Sequence, residues 1–294
     1  KLEFNFQHLK SSNQTFIEKD LEDKTKSFSS FNEYIKFFKS LGIIIDQDKR
    51  KNFIKSELQK ISLKRNLVLN LNNTLLDEIT NIVEKPKVLV CEFDKKYLQI
   101  PKEILSITMQ SHQKYIPTLD KKDNITNSFF VIADIQDKKN LVKSGNERVI
   151  DARLSDAEFF WNKNKSQNLV KQVSHLNNIN YFKGLGTYYN KVQRMRKLSA
   201  LISDELLISK EKIEIASTIC KVDLMSDLVG EFPELQGIMG GYFAEAQGFE
   251  KDVSIAIAEH YLPIGMESVL PKKPYSIALS LSDKIDSLVG FFGI

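Results

Sequence analysis

The stretch GNERVIDARLSDAEFFWNKNKSQNL, residues 145–169, divides two textures of chain. Up to Trp161, large apolar residues alternate with Asn146, Glu147, Arg148, Asp151, Arg153, Asp156 and Glu158; from Asn162 to Asn168 apolar side chains vanish. Ile150, Leu154, Ala157 and Trp161 recur at helical spacing and form one apolar stripe. Ser144 precedes Glu147 by three residues, the spacing of a capping box, which predicts a helix start at 145–147. On the opposite side Arg148, Asp151, Ser155 and Glu158 make a polar row, and Arg153 lies three residues from Asp156. That row is either a solvated, salt-bridged face or a pair of guanidinium groups held by Asp151 and Asp156 for contact with phosphate. Planar arginine suits the second task better than mobile lysine. The segment 162–169 reads as a polar linker.

Upstream the elements are mixed. Ser29 or Ser30 caps a short helix carrying Phe31, Ile35 and Phe38, which Gly42 ends. A longer helix follows from about Asp46, with Phe53, Ile54, Leu58 and Ile61 on its apolar side. NNTLLDEITNIV is a third helix, stopped before Pro86. KVLVCEF then reads as a buried strand, IPKEILSITMQS as a short helix with Pro101 in its first turn, and HQKYIPTLDKKDNITNSFFVIADI as two strands joined at Asp120–Asn124. Helices followed by strands predict an α+β body domain over residues 1–165. Downstream, helices are predicted near 168–182, 187–202, 210–229, 233–247, 251–261 and 275–292, with no strand signature. Residues 166–294 are therefore expected to form an all-α domain.

The chain has 294 residues, enough for two cores. Its 42% hydrophobic and 27% charged content is that of an ordinary globular protein. No apolar run approaches the roughly 18 residues of a membrane span, so no membrane partner is expected. The net charge of +4 permits a local nucleic-acid-binding patch without demanding one. Cys91 and Cys220 are far apart and make no CxxC pair, which argues against a disulfide framework or thiolate zinc site and for a reducing cytoplasm. Both read as small buried hydrophobes. The chain starts at Lys1 without Met and stops on the apolar GFFGI, and it reads as an internal piece of a longer protein.

Common catalytic signatures are absent: there is no GxxxxGK[ST], no GxGxxG after a strand, no HExxH and no GxSxG. His8, His112, His175 and His260 are scattered. GLG at 184–186 is either a phosphate cradle or a plain turn, and glycine is the default for a turn. Asp223, His260 and Asp283 each adjoin an apolar helical stripe: Ile215, Ile219 and Val222; Val253, Ile257 and Tyr261; Ile277, Leu281, Ile285 and Leu288. One His and two Asp on separate helices resemble the metal constellation of HD-domain phosphohydrolases. That family needs a first His and an adjacent His-Asp pair; here the pair is Val222-Asp223, and the first helix offers Tyr181-Phe182-Lys183. Too few N/O ligands remain for a hydrolytic metal, so a buried, hydrogen-bonded cluster is expected, with no metal or cofactor in this chain.

Six segments carry a more specific resemblance. TMQSHQKYIPTLD, GNERVIDARLSDAEFFW, GLGTYYNKVQRM, CKVDLMSDLVGEFPELQGIMGGYFA, EHYLP and LSDKIDSLVGFF resemble, in this order, the β subunit of bacterial two-subunit glycyl-tRNA synthetase. The match runs from about residue 75 to 294. In that family the α subunit adenylates glycine with ATP and the β subunit supplies tRNA recognition, and the two assemble as a heterotetramer. The helical region of the family is HD-like, which implies a degenerate HD-like domain around Asp223, His260 and Asp283; Phe182 stands where the family usually has a His. The resemblance implies that this chain has no catalytic residue of its own, and that its partners are the α subunit and glycine tRNA. Candidate RNA contacts are His112, Gln113, Lys114, Asn146, Arg148 and Arg153. The alternatives are an HD-type phosphohydrolase and a scaffold that binds only the α subunit.

Overall fold

A computed structural model describes residues 4–19 and 22–293; Lys1 and Ile294 lie outside the described residues. The chain runs through β1 (Asn5–Phe6), β2 (Leu9–Lys10), β3 (Gln14–Lys19), β4 (Glu22–Ser27), α1 (Phe31–Ser40), α2 (Gln47–Arg65), β5 (Val68–Leu69), α3 (Asn73–Ile82) and β6 (Lys87–Glu92). It continues through α4 (Lys102–Ile107), β7 (Ile116–Leu119), β8 (Ile125–Ala133), α5 (Leu141–Lys165), α6 (Leu169–Gln172), β9 (Asn180–Phe182) and β10 (Gly186–Thr187). The remaining elements are α7 (Tyr188–Glu205), α8 (Lys210–Ile219), α9 (Asp227–Glu231), α10 (Ile238–Ala246), α11 (Lys251–Glu259) and α12 (Pro274–Phe292). Residues 1–92 and 114–147 make one compact unit; residues 93–113 and 148–294 make the second. The division falls inside α5, between Glu147 and Arg148, and the break expected near residue 165 lies within the second unit.

The first unit centres on an antiparallel sheet in the order β5-β7-β8-β6. Val88 pairs with Ile132 and Val90 with Phe130, and because strand side chains alternate these four share a face. Ile54 and Leu58 of α2 and Leu75, Leu76 and Ile79 of α3 close over that face in one core. Asp46 caps α2 by accepting from the Lys49 N–H, and Asn66 ends it at φ +53°. The turn at Asp120–Asn124 joins β7 to β8 as expected: Asp120 accepts N–H bonds from Lys122 and Asn124. Cys91 is fully buried, and burial pushes its thiol up to about 12.

In the second unit α7, α8, α11 and α12 pack on one another, with α10 against α11. Four expectations need correction. α5 starts at Leu141, before the anticipated capping box, because Asp137 already accepts the Lys143 N–H. Ser144 instead bonds the Asn140 carbonyl, and Glu147 accepts the N–H of Glu92. The same helix continues to Lys165 through the supposed linker. Its reason is Asn164, 2% exposed, whose amide bonds the Asp227 carboxylate and accepts the N–H of Leu228 at the start of α9.

Residues 180–187 form a two-stranded hairpin where a helix to 182 and no strand were expected. Gly184 and Gly186 turn it at φ +88° and +81°, so GLG is a turn. Finally, the predicted 210–229 helix breaks after Ile219 into a 3-10 turn, Val222–Met225, and then α9. The break lets Lys221 and Asp223 point inward.

Candidate functional site

α12 explains the site, because its orientation inverts the pattern read from sequence. Leu281, Ile285, Leu288 and Val289 are exposed, while Ser276, Ser282, Asp283 and Asp286 face inward. A helix buries its polar side only if something inside answers it. The answer is two lysines. Lys191 on α7 and Lys221 after α8 are 2% and 1% exposed. Lys191 Nζ lies 3.0 Å from Asp283 Oδ1 and 3.2 Å from Asp286 Oδ2, and it donates to Ser287 Oγ at 2.9 Å. Lys221 Nζ approaches the same Asp283 oxygen at 3.1 Å and sits 3.7 Å from the Tyr261 ring centre. Arg194, one turn from Lys191, completes the set with Asp286 through Nε at 2.5 Å and Nη2 at 3.2 Å. The i, i+3 spacings Lys191/Arg194 and Asp283/Asp286 put each pair on one helix face.

Asp223 and His260 join this cluster at Gly237. Asp223 Oδ2 accepts the N–H groups of Gly237 (2.5 Å) and Gly240 (3.1 Å). Gly237 holds φ +81°, and a Cβ there would stand 2.8 Å from the Tyr261 ring and 3.1 Å from His260 Cε1. His260 Nδ1 meets the Ile257 carbonyl at 2.6 Å. Its Nε2, like Asp223 Oδ1, is buried without a hydrogen-bond partner among the described residues.

Burial sets the protonation pattern. It raises Asp223 to about 6 against the opposing Gly237 and Gly240 N–H groups, and it lowers His260 to about 3, reinforced by Lys221. Burial alone would also raise Asp283, but Lys221, His260 and Lys191 together hold it at about 2. Lys221 is lowered because burial outweighs the attraction of Asp283.

These donors do not fit a divalent cation. Asp283, the carboxylate that an HD-type metal would need, is ion-paired through one oxygen to two ammonium groups, and Asp223 is held by backbone N–H groups. Among the described residues no group of three His, Cys, Asp or Glu side chains is placed to hold a metal ion. The arrangement suits an internal electrostatic lock, in which Lys191, Lys221 and Arg194 face the carboxylates of Asp283 and Asp286.

The candidate RNA contacts fall in two stretches of sequence, residues 112–114 and 146–153. His112 stacks on Phe232, with ring centres 5.3 Å apart and planes 8° apart. Gln113 closes the π-helical turn Thr108–His112. Lys114, at φ +57°, pairs with Glu78 at 2.6 Å. Asn146 accepts the Tyr115 hydroxyl and donates to the Val142 carbonyl. Arg153 pairs with Glu231 at 3.6 Å rather than with Asp156. Asp151 instead accepts the N–H of Asp94. Arg148 is exposed and makes no ion pair among the described residues. Trp161, the last apolar residue before the polar run 162–168, stacks on Phe243 at 5.7 Å.

Sequence reasoning missed Lys191, Lys221, Arg194 and Asp286. Only Asp286 left a signal, its i+3 spacing from Asp283 in SDKID. Lysine is rarely buried, so composition alone does not mark the other two.

Residues 1–294 match the glycyl-tRNA synthetase beta subunit family. The chain is similar to the glycine–tRNA ligase beta subunit of Thermodesulfovibrio yellowstonii, 35% identical over 293 residues that cover 99% of this chain and 43% of that protein. It is similar to the same subunit of Syntrophomonas wolfei, 37% identical over 295 residues, covering 100% of this chain and 43% of that protein. The subunit of Clostridioides difficile gives the same three figures, 37%, 100% and 43%. The chain therefore spans less than half the length of these relatives. With a family match along its whole length, the chain belongs to the glycyl-tRNA synthetase beta subunit family.

Proposed function

We propose that this chain is the part of a glycine–tRNA ligase that grips tRNA and presents its acceptor end to a separate α subunit, which adenylates glycine with ATP. The setting is the cytoplasm, and the chain alone does not aminoacylate. The observation that carries this reading is Arg148. It is exposed and without an ion pair among the described residues, on a helix whose other arginine, Arg153, is paired. A guanidinium group so placed is available to phosphate. The clustering of Asp223, His260 and Asp283 supports an HD-like ancestry for residues 166–294, and the two buried lysines weigh against the phosphohydrolase alternative.

The test is competition: labelled glycine tRNA on this chain, displaced by unlabelled glycine tRNA or by an unrelated tRNA. Preferential displacement by the cognate tRNA supports the reading, and equal displacement contradicts it. A second reading, a scaffold for the α subunit, draws on the exposed apolar face of α12. It predicts that Ile285→Asp with Leu288→Asp abolishes co-sedimentation with the α subunit while leaving tRNA binding intact.

A further inference from the structure

In the second unit α7 and α12 pack on each other, and a groove of about 670 Å³ lies between them. Leu185, Leu198, Ile285 and Val289 make its apolar walls. Leu185, from the β9–β10 turn, seats against the bare Gly290 of α12, where a Cβ would stand 2.8 Å from Leu185 Cδ1. Two cations three residues apart on α7, Arg194 and Lys197, line the same groove from one helix face. Lys197 is exposed and makes no ion pair among the described residues. Arg194 spends three of its five guanidinium N–H groups on Asp286 and the Leu185 carbonyl, and its side chain stays 38% exposed. The carboxylate among the described lining residues, Asp286, has a 3% exposed side chain and is already answered by Lys191 and Arg194. The polar edge of the groove therefore offers cationic donors to an incoming group.

The apolar wall extends beyond the groove and decides the class of occupant. On α12 Leu281, Ile285, Leu288 and Phe292 are exposed at i, i+4, i+7 and i+11, the spacing of a coiled-coil seam. Leu201 continues the α7 side and is 69% exposed. The α12 stripe is about 16 Å long at the helical rise of about 1.5 Å per residue, longer than a compact small ligand. A concave site between two helices takes a rod-like apolar face and not a flat bilayer. A second copy of α12 does not complement this edge: its carboxylates, Asp283 and Asp286, are buried, so it brings no acid to Lys197.

We infer that the α7–α12 groove receives an amphipathic helix of a partner chain, seated by an apolar stripe and carrying carboxylates on the flank that meets Arg194 and Lys197. The inference rests on the scaffold reading of α12 and adds to it the groove and the chemistry of its occupant.

Fluorescence anisotropy of two labelled helical peptides titrated with this chain tests the assignment. Both carry one leucine stripe on an alanine helix; one has glutamates along a flank of the stripe, the other lysines. Saturable one-to-one binding of the glutamate peptide is expected, about tenfold tighter than the lysine peptide at low salt. Lys197→Glu should weaken the glutamate peptide severalfold and narrow that preference. Val289→Asp, at a position 68% exposed, should abolish binding with the circular dichroism spectrum unchanged, and Leu288→Asp, 57% exposed, serves if it does not fold. No α subunit enters the titration, so it fails or holds separately from the co-sedimentation test of the scaffold reading. Equal affinity for the two peptides, undiminished affinity in a folded Asp variant, self-association of the chain that either Asp variant abolishes, or co-flotation with phosphatidylglycerol vesicles would overturn the proposal.

Discussion

Lys221 shows how much one residue decides here. Its ammonium group is almost wholly buried between Asp283 and the Tyr261 ring. Lys221→Met keeps the stem and removes the charge, leaving Asp283 to Lys191 alone. Breaking a buried pair from one side costs about 3–5 kcal/mol, and urea denaturation should read that loss.

Asp223 and His260 make a pH prediction. Asp223 titrates at about 6 in the fold against 3.8 unfolded, so its contribution is full below about 3.8 and is lost as pH rises through about 6. His260 is depressed from 6.5 to about 3, so its contribution is full above about 6.5 and is lost as pH falls toward 3. Between about pH 4 and 6 the two slopes oppose. Asp223→Asn removes one of them, and the variant should lose about 1.4 kcal/mol more per pH unit than the parent on acidification across that window. Denaturation midpoints at pH 4, 5 and 6 measure it. Asp223, Asp283 and His260 of this cluster were legible, because a polar residue beside a core stripe is unusual. The lysines were not, because a long stem with a charged tip ordinarily reaches solvent.

Among the elements, α5 and α12 behave oppositely. The stripe Ile150, Leu154 and Ala157 of α5 is fully buried, as its spacing predicts, and Leu154→Ala should cost about 2–5 kcal/mol in chemical denaturation. In α12 the apolar stripe is equally clear in sequence yet lies outside, because periodicity identifies a face without saying which face the neighbours need. The partners that decide it, Lys191 and Lys221, stand more than 50 residues before α12, beyond any local window. The β9–β10 hairpin and the early start of α5 are local features, set by the turn at Gly184 and Gly186 and by the Asp137 cap on the Lys143 N–H. In α10 a Cβ on Gly240 would lie 2.9 Å from Ile257 Cγ2 and 3.2 Å from Asp223 Oδ2. Gly240→Ala should therefore destabilise by about 1–3 kcal/mol, read as a lowered thermal midpoint.

For the whole molecule, the mild net charge of +4 is distributed so that many basic groups are already engaged. Lys191, Lys221 and Arg194 answer interior carboxylates, while Lys114 and Arg153 are paired at the surface. The family was legible from six segments because they keep rare residue combinations; which of their side chains face RNA was not, since a motif specifies identity and not direction. Among the six candidate contacts, Arg148 is the one on which the proposed tRNA grip rests. One phosphate contact should then contribute about one unit to the dependence of log affinity on log salt. The direct measurement is the affinity of this chain for glycine tRNA from 50 to 200 mM salt, with and without Arg148→Ala. The expected result is a linear salt dependence whose slope falls by about one unit in the variant. A flat dependence in the parent, or an identical slope in both proteins, would contradict it.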